Sequence, residues 1–382
     1  MRVVLAISVV AILAVGLGPA GAVDSHLDPQ LVPGGCGACH MGHGVSQSPM
    51  LPAPQSEVCL SCHQDRAGLD LEVSRGAVTP GGRTLSLGQV LARPFRHPLT
   101  EGAYSRREPG AVTCTSCHSP HRAMAEKNLA STTGRRKLSP RDPSQFEFEL
   151  CQECHGSAGL GTQSPLDSSR LSNPNNRSYH PVEAPAATRS PSILPELVGA
   201  EINCTDCHGN SDPAGARGPH GSEVAYILKQ NYTTVDGSAE TGGLYSLCYE
   251  CHDRSRVLDD SPFPLHRLHV VEERTSCATC HSAHGSIGNR GLIRFGEETF
   301  LAGVGPSMST GLLRFESSTP GSGSCYLTCH GVDHSPRTYG FAVPTTDDGL
   351  GYLPSLLDSP GLPPSSMPPS RPSKRKQNRL PP

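Results

Sequence analysis

Residues 114–121 read CTSCHSPH, and residues 277–284 read CATCHSAH. In both, two thiols stand three residues apart, an imidazole follows the second thiol directly, and another imidazole comes three residues later. The core of this pattern, Cys-x-x-Cys-His, occurs seven times: Cys36/Cys39-His40, Cys59/Cys62-His63, Cys114/Cys117-His118, Cys151/Cys154-His155, Cys204/Cys207-His208, Cys248/Cys251-His252 and Cys277/Cys280-His281. An eighth copy, Cys325/Cys329-His330, carries one more residue between the thiols. All 16 Cys fall into these pairs, and every second Cys precedes a His although the chain holds only 18 His in 382 residues. That is no chance coincidence.

The spacing has a geometric reading. One helical turn sets thiols three apart on the same side, where each can add to a vinyl group of one haem, and the next residue carries its imidazole to the iron. Eight haem c groups follow, with His40, His63, His118, His155, His208, His252, His281 and His330 as proximal ligands. The extra residue at Cys325/Cys329 can loop out. Zinc needs four ligands closed on one ion and gives no reason for a His after every second Cys. A redox dithiol occurs once near a βαβ pattern, not eight times.

Ten His remain, enough for a second ligand on every iron. Four units emerge, each with two motifs, one His upstream and one between. They are His26, CGACHMGH (His43) and CLSCH; His97, CTSCHSPH (His121) and CQECH; His180, CTDCH, His220 and CYECH; and His269, CATCHSAH (His284) and CYLTCH. In the third unit an insertion moves the inter-motif His from three to twelve residues after the proximal one. The distal set is therefore His26, His43, His97, His121, His180, His220, His269 and His284. The upstream His is expected to serve the first haem of its unit and the inter-motif His the second, with exchange between units left open. A His three residues after a proximal ligand cannot easily reach the far face of its own haem, so it must serve a neighbour. His266, one turn before His269, competes with it and is surplus. His334 reads as an exposed turn residue, the alternative being a distal ligand in place of His26 or a ligand to a haem of another molecule.

CTSCHSPH, CATCHSAHG, CGACHMGHG and the Cys151 and Cys248 motifs resemble the doubled CXXCH family of multihaem c-type cytochromes, over residues 26–335. The resemblance implies bis-His haems stacked in a chain, used as an electron conduit in anaerobic or extracellular respiration.

Composition agrees with a core not made of side chains. Gly and Pro number 41 and 36, hydrophobic residues are 35%, aromatics 4%, and Trp is absent. So little apolar material cannot offset the entropy of ordering such a chain. The 360 residues after Ala22 leave about 45 per motif, too few for a separate protein core around each. The expected fold is irregular coil with short α-helices at the motifs, wrapped around a haem stack, with little β. A short helix is expected at 225–230 (AYILKQ) and a strand pair between 292–295 and 312–315. Connectors are expected at 66–90, 122–145 and 160–200. A net charge of −3 shows no basic field for nucleic acid.

Residues 1–22 read as a cleaved signal peptide, with a basic start, an apolar run over 3–17 and Ala20-Gly21-Ala22. The chain is then periplasmic or extracellular, with no stable membrane insertion. Dihaem units are assigned to 23–65, 66–158, 159–255 and 256–340, and a Pro-rich basic tail expected to be disordered to 341–382. The partners implied are other cytochromes, an inner-membrane quinol oxidase or an outer-membrane conduit, with self-association open. Closed bis-His sites favour an electron carrier of low potential, since Met ligands raise potential. The alternatives are a reductase of nitrogen or sulfur oxyanions with one open haem, sought first in the third unit, and a subunit of a cytochrome filament.

Overall fold

Five of the seven C-x-x-C motifs lie wholly inside a helix, and the other two, at Cys36 and Cys248, begin in a helical turn. A computed structural model describes residues 26–43, 50–81, 86–104, 110–121, 146–160, 167–186, 190–260, 263–295, 303–317, 319 and 321–340. The expected signal peptide and basic tail lie outside them, as does the connector 122–145.

Helices α1 (Gln55–His63) and α2 (Arg66–Ser74) form a short hairpin. Asp65 caps α2, its carboxylate accepting from Gly68 N. Helix α3 spans Gly88–Leu91, α4 Cys114–Cys117, α5 Glu147–His155, α6 Ser157–Leu160 and α7 Ser168–Leu171. Then come α8 (Cys204–Cys207), α9 (Ser246–Tyr249), α10 (Arg254–Leu258) and α11 (Cys277–Cys280). A 3₁₀ turn at Gly35–Ala38 carries the first motif, and a wide helical turn covers Arg267–Glu272.

The strands are few and short. β1 (Phe95–Arg96) pairs antiparallel with β3 (Gly221–Ser222), and β2 (Ser178–Tyr179) with β4 (Gly285–Ser286). Near the C-terminal end of the described chain, β5 (Val304–Gly305), β6 (Arg314–Glu316), β7 (Gly323–Cys329) and β8 (Val332–Tyr339) form one antiparallel sheet, with β5, β6 and β8 all hydrogen-bonded to β7. Its inner face holds the side-chain core cluster: Phe295, Phe315 and Leu327, flanked by Cys280, Ile293, Val304, Leu313, Cys325, Cys329 and Tyr339.

Five local expectations are corrected. Residues 66–90 contain α2 and most of α3 rather than one connector, because Leu69 and Val90 bury apolar side chains there. Residues 160–200 contain α7 and β2. The AYILKQ segment is only a 3₁₀ turn, Ala225–Ile227, broken by Tyr226 at φ +61°. The segments 292–295 and 312–315 do not pair: Ile293 bridges to His281, and β6 joins β7. The eighth motif is a strand rather than the expected short helix, although regular structure among the described residues stays sparse.

The β1/β3 and β2/β4 ribbons are one device used twice. Residues 220–222 and 284–286 both read His-Gly-Ser. A Cβ on Gly221 would stand 2.0 Å from the Val90 carbonyl oxygen, and one on Gly285 1.9 Å from that of Leu171, so only glycine fits. Ser222 and Ser286 are fully buried, donating to Leu228 O at 2.6 Å and Ile293 O at 2.7 Å.

Candidate haem-binding sites

The ribbons position imidazoles. His97 follows β1 and His220 precedes β3; His180 follows β2 and His284 precedes β4. His97 Nδ1 donates to Pro219 O at 2.9 Å, and His180 Nδ1 to Ala283 O. Each bond links an upstream His to the residue before the inter-motif His of the next unit.

Among the described residues, imidazole rings face one another in eight pairs, with centroids 5.8–6.5 Å apart. His26 faces His63, His97 faces His155 and His180 faces His252. His121 faces His40, His220 faces His118 and His284 faces His208. His266 faces His281, and His269 faces His334. A metal between two imidazole nitrogens about 2.0–2.1 Å away separates ring centroids by roughly 6 Å, so the spacing suits an iron gripped from both faces.

The second nitrogen of many rings is also set. His208 Nδ1 faces Tyr226 O at 2.8 Å, His281 Nδ1 faces Gly291 O at 2.7 Å and His269 Nδ1 faces Leu265 O at 2.8 Å. A carbonyl only accepts, so Nδ1 carries the proton and Nε2 presents its lone pair, as metal-ligating His requires. His252 Nδ1 lies 2.8 Å from Ser192 Oγ. Burial first, and then the opposed imidazole, holds His220, His252, His266 and His284 down at about 4, so these rings are neutral at pH 7.

The pairing differs from the expected order. Upstream His26, His97 and His180 stand opposite the second proximal His of their units, not the first. The inter-motif residues His121, His220 and His284 stand opposite the first proximal His of the preceding unit. The insertion before His220 leaves this role intact. Arg93 holds the insertion by bonds to Asn210 Oδ1 and, at 3.0 Å, Ser211 Oγ. His43, expected as a distal ligand, is exposed, and among the described residues no ring faces it. His266, read as surplus, occupies a pair. His330 faces no imidazole among the described residues; its Nε2 lies 3.1 Å from Asp236 Oδ2. The signal that could have found this order is the two His-Gly-Ser repeats, which mark equivalent positions one unit apart.

The thiols also line up. All sixteen are free of disulfides. The Cys59 thiol contacts Cys114, and Cys151 contacts Cys204; these contacts, then burial, push Cys59 and Cys151 up. Burial, then the neighbouring motif, raises Cys39 beside Cys62, Cys117 beside Cys154, Cys207 beside Cys251, Cys277 beside Cys248 and Cys280 beside Cys325. Every motif therefore adjoins the next in chain order. Side-chain clamps reinforce two of the joints between units. Gln55 Oε1 accepts from Thr115 N at 2.9 Å; Glu147 accepts from Thr205 N at 2.7 Å and Thr205 Oγ1 at 2.9 Å.

Comparison with known proteins agrees with this chemistry. Residues 30–68 match the doubled CXXCH motif family, and residues 195–282 match cytochrome c7 and related cytochrome c. The chain is 23% identical over 346 residues to "Multiheme cytochrome MtrA" of Shewanella baltica (strain OS185), covering 83% of this chain and 72% of that protein. No solved structure matches it. Among the described residues no helix is long and apolar enough to cross a membrane.

Proposed function

We propose that the chain, a multihaem electron-transfer cytochrome of the c type by its motifs and its relatives, is an exported octahaem conduit. It would run electrons through bis-His sites of low potential in anaerobic or extracellular respiration. The observation that carries this reading is the unbroken adjacency of motifs 1 to 8 together with paired imidazoles at regular spacing. Haem iron supplies the one-electron chemistry when bound. The chain's own residues do the rest. Cys pairs anchor the cofactor, and opposed imidazoles fix its plane. Backbone carbonyls hold each ring in the tautomer that leaves Nε2 for the metal. The dihaem units interlock, since His121, His220 and His284 each reach back to the unit before. Redox partners are other cytochromes at the ends of the row, and export through the leader at 1–22 brings the chain to the periplasm or beyond.

A reductase would need an iron with one face free of a protein ligand. The third unit, where such a face was first sought, has imidazoles opposite both His208 and His252. EPR of the fully oxidised protein, with haem number from intact mass, tests the reading. Low-spin signal from all iron is expected. High-spin signal from one haem's worth of iron would instead move the reductase to first place.

A further inference from the structure

Resting on the reading that Cys325 and Cys329 carry a haem, we infer that its iron is held by His269 and His334, and that His330, the residue after the second Cys, is not its ligand. The eighth motif has a different local structure from the other seven. Its thiols lie on strand β7, not beside a helical turn. His330 and Gly331 form the two-residue connection to β8, with φ +50° and +78°. That is the geometry of a tight primed hairpin turn.

His330 sits at the tip of this hairpin with its Nε2, the atom an iron would need, against Asp236 Oδ2 at 3.1 Å. Asp236 is itself fixed: its other oxygen accepts from Ser276 N and Thr279 Oγ1, both at 2.7 Å. His334 is better placed. It lies directly across from Leu327, and Cys329 lies across from Val332. Cross-strand partners share a face and alternate residues share a face. His334 therefore shares the face that carries Cys329 and Leu327.

His269 stands opposite, its centroid 6.5 Å from that of His334, with the planes at 36°. Both rings turn Nδ1 to a carbonyl, Leu265 O at 2.8 Å and Val332 O at 3.3 Å, which leaves both Nε2 atoms for a metal. An aromatic wall closes the side. Phe263 lies 6.0 Å from His269 and 4.6 Å from Tyr339, and Tyr339 packs on the cluster that includes Cys325. The interlock points the same way. In the three preceding units the upstream His faces the second proximal ligand of its own unit. In the fourth unit His269 is the upstream His, and the ring it faces is His334. His266 then closes the first haem of that unit, for which no following inter-motif His exists among the described residues.

The test uses the full-length holoprotein with His334→Ala, His269→Ala and the double variant. All three leave the attachment motif unchanged. Eight haems by intact mass are expected in each, with one-eighth of the iron high-spin in each single variant and still one-eighth in the double. An all-low-spin spectrum in His334→Ala would overturn the inference, as would a wild-type mass with no haem at Cys325/Cys329. Should His334→Ala lose that haem, His334→Met decides, because an axial Met raises the potential. One titrating component of eight moves positive if His334 is a ligand, and an unchanged titration overturns the assignment. The wild-type spectrum keeps the two readings apart: low-spin iron throughout supports the conduit whichever His holds the last haem.

Discussion

At the scale of single residues, an imidazole's role here depends on what stands across from it, not on its distance from a Cys. His43, His121 and His284 occupy identical positions three residues after a proximal His. Yet His121 and His284 face partners 6.0 and 6.1 Å away, while His43 is exposed. The difference is positional. His121, His220 and His284 each reach back one unit, while among the described residues no imidazole stands opposite His43. His43→Ala is therefore expected to leave the spin state of all haems and the redox titration unchanged. His121→Ala should turn one haem high-spin. A high-spin signal from His43→Ala would contradict the arrangement.

At the scale of elements, the joints between units rest on side chains four residues before a Cys. Gln55 and Glu147 hold equivalent places on α1 and α5, and each accepts from the backbone N–H of the residue after the first Cys of the next motif. They satisfy donors at the start of α4 and α8 that a short helix leaves unpaired. Glu147 binds both backbone and hydroxyl of Thr205, so it contributes more. Glu147→Ala should cost about 1.5–3 kcal/mol, the range for hydrogen bonds to a charged group. Glu147→Gln, which keeps an acceptor, should cost less. Thermal unfolding of the two holoprotein variants measures the difference, and equal melting temperatures would remove Glu147 from the joint.

At the scale of the whole molecule, stability is tied to neutral imidazoles. His220, His252, His266 and His284 sit at about 4 in the fold against an ordinary 6.5. Between those values the unfolded chain binds more protons than the folded one, so stability rises with pH across this interval. It is fully present above about 6.5 and is lost as pH falls toward 4, levelling below. Under the proposed ligation, iron would compete for the same lone pair and carry the lower limit further down. Chemical denaturation followed by far-UV circular dichroism at a series of pH values should show a flat midpoint above neutrality and a steady fall below it. A midpoint independent of pH from 7 to 4 would refute this account.

The sequence alone determined the chemistry: sixteen Cys in eight pairs, a His after each pair, and too few apolar residues for a conventional core. These are local facts, because covalent attachment needs only thiols and an imidazole within a few residues of one another. It also supplied the number of spare His, though not their order. Which ring faces which is a contact between residues tens of positions apart, as in His40 with His121 or His97 with His155. Only the ribbons β1/β3 and β2/β4 and the helix joints bring such residues together. The eighth motif shows the limit most plainly. Its letters predict a helical turn with His330 as ligand. The tertiary structure draws Cys325–Cys329 into a sheet, because Phe315, Leu327 and Phe295 bury one another there. That packing outweighs the helical preference of the motif, sends His330 to a hairpin tip and brings His334 opposite His269.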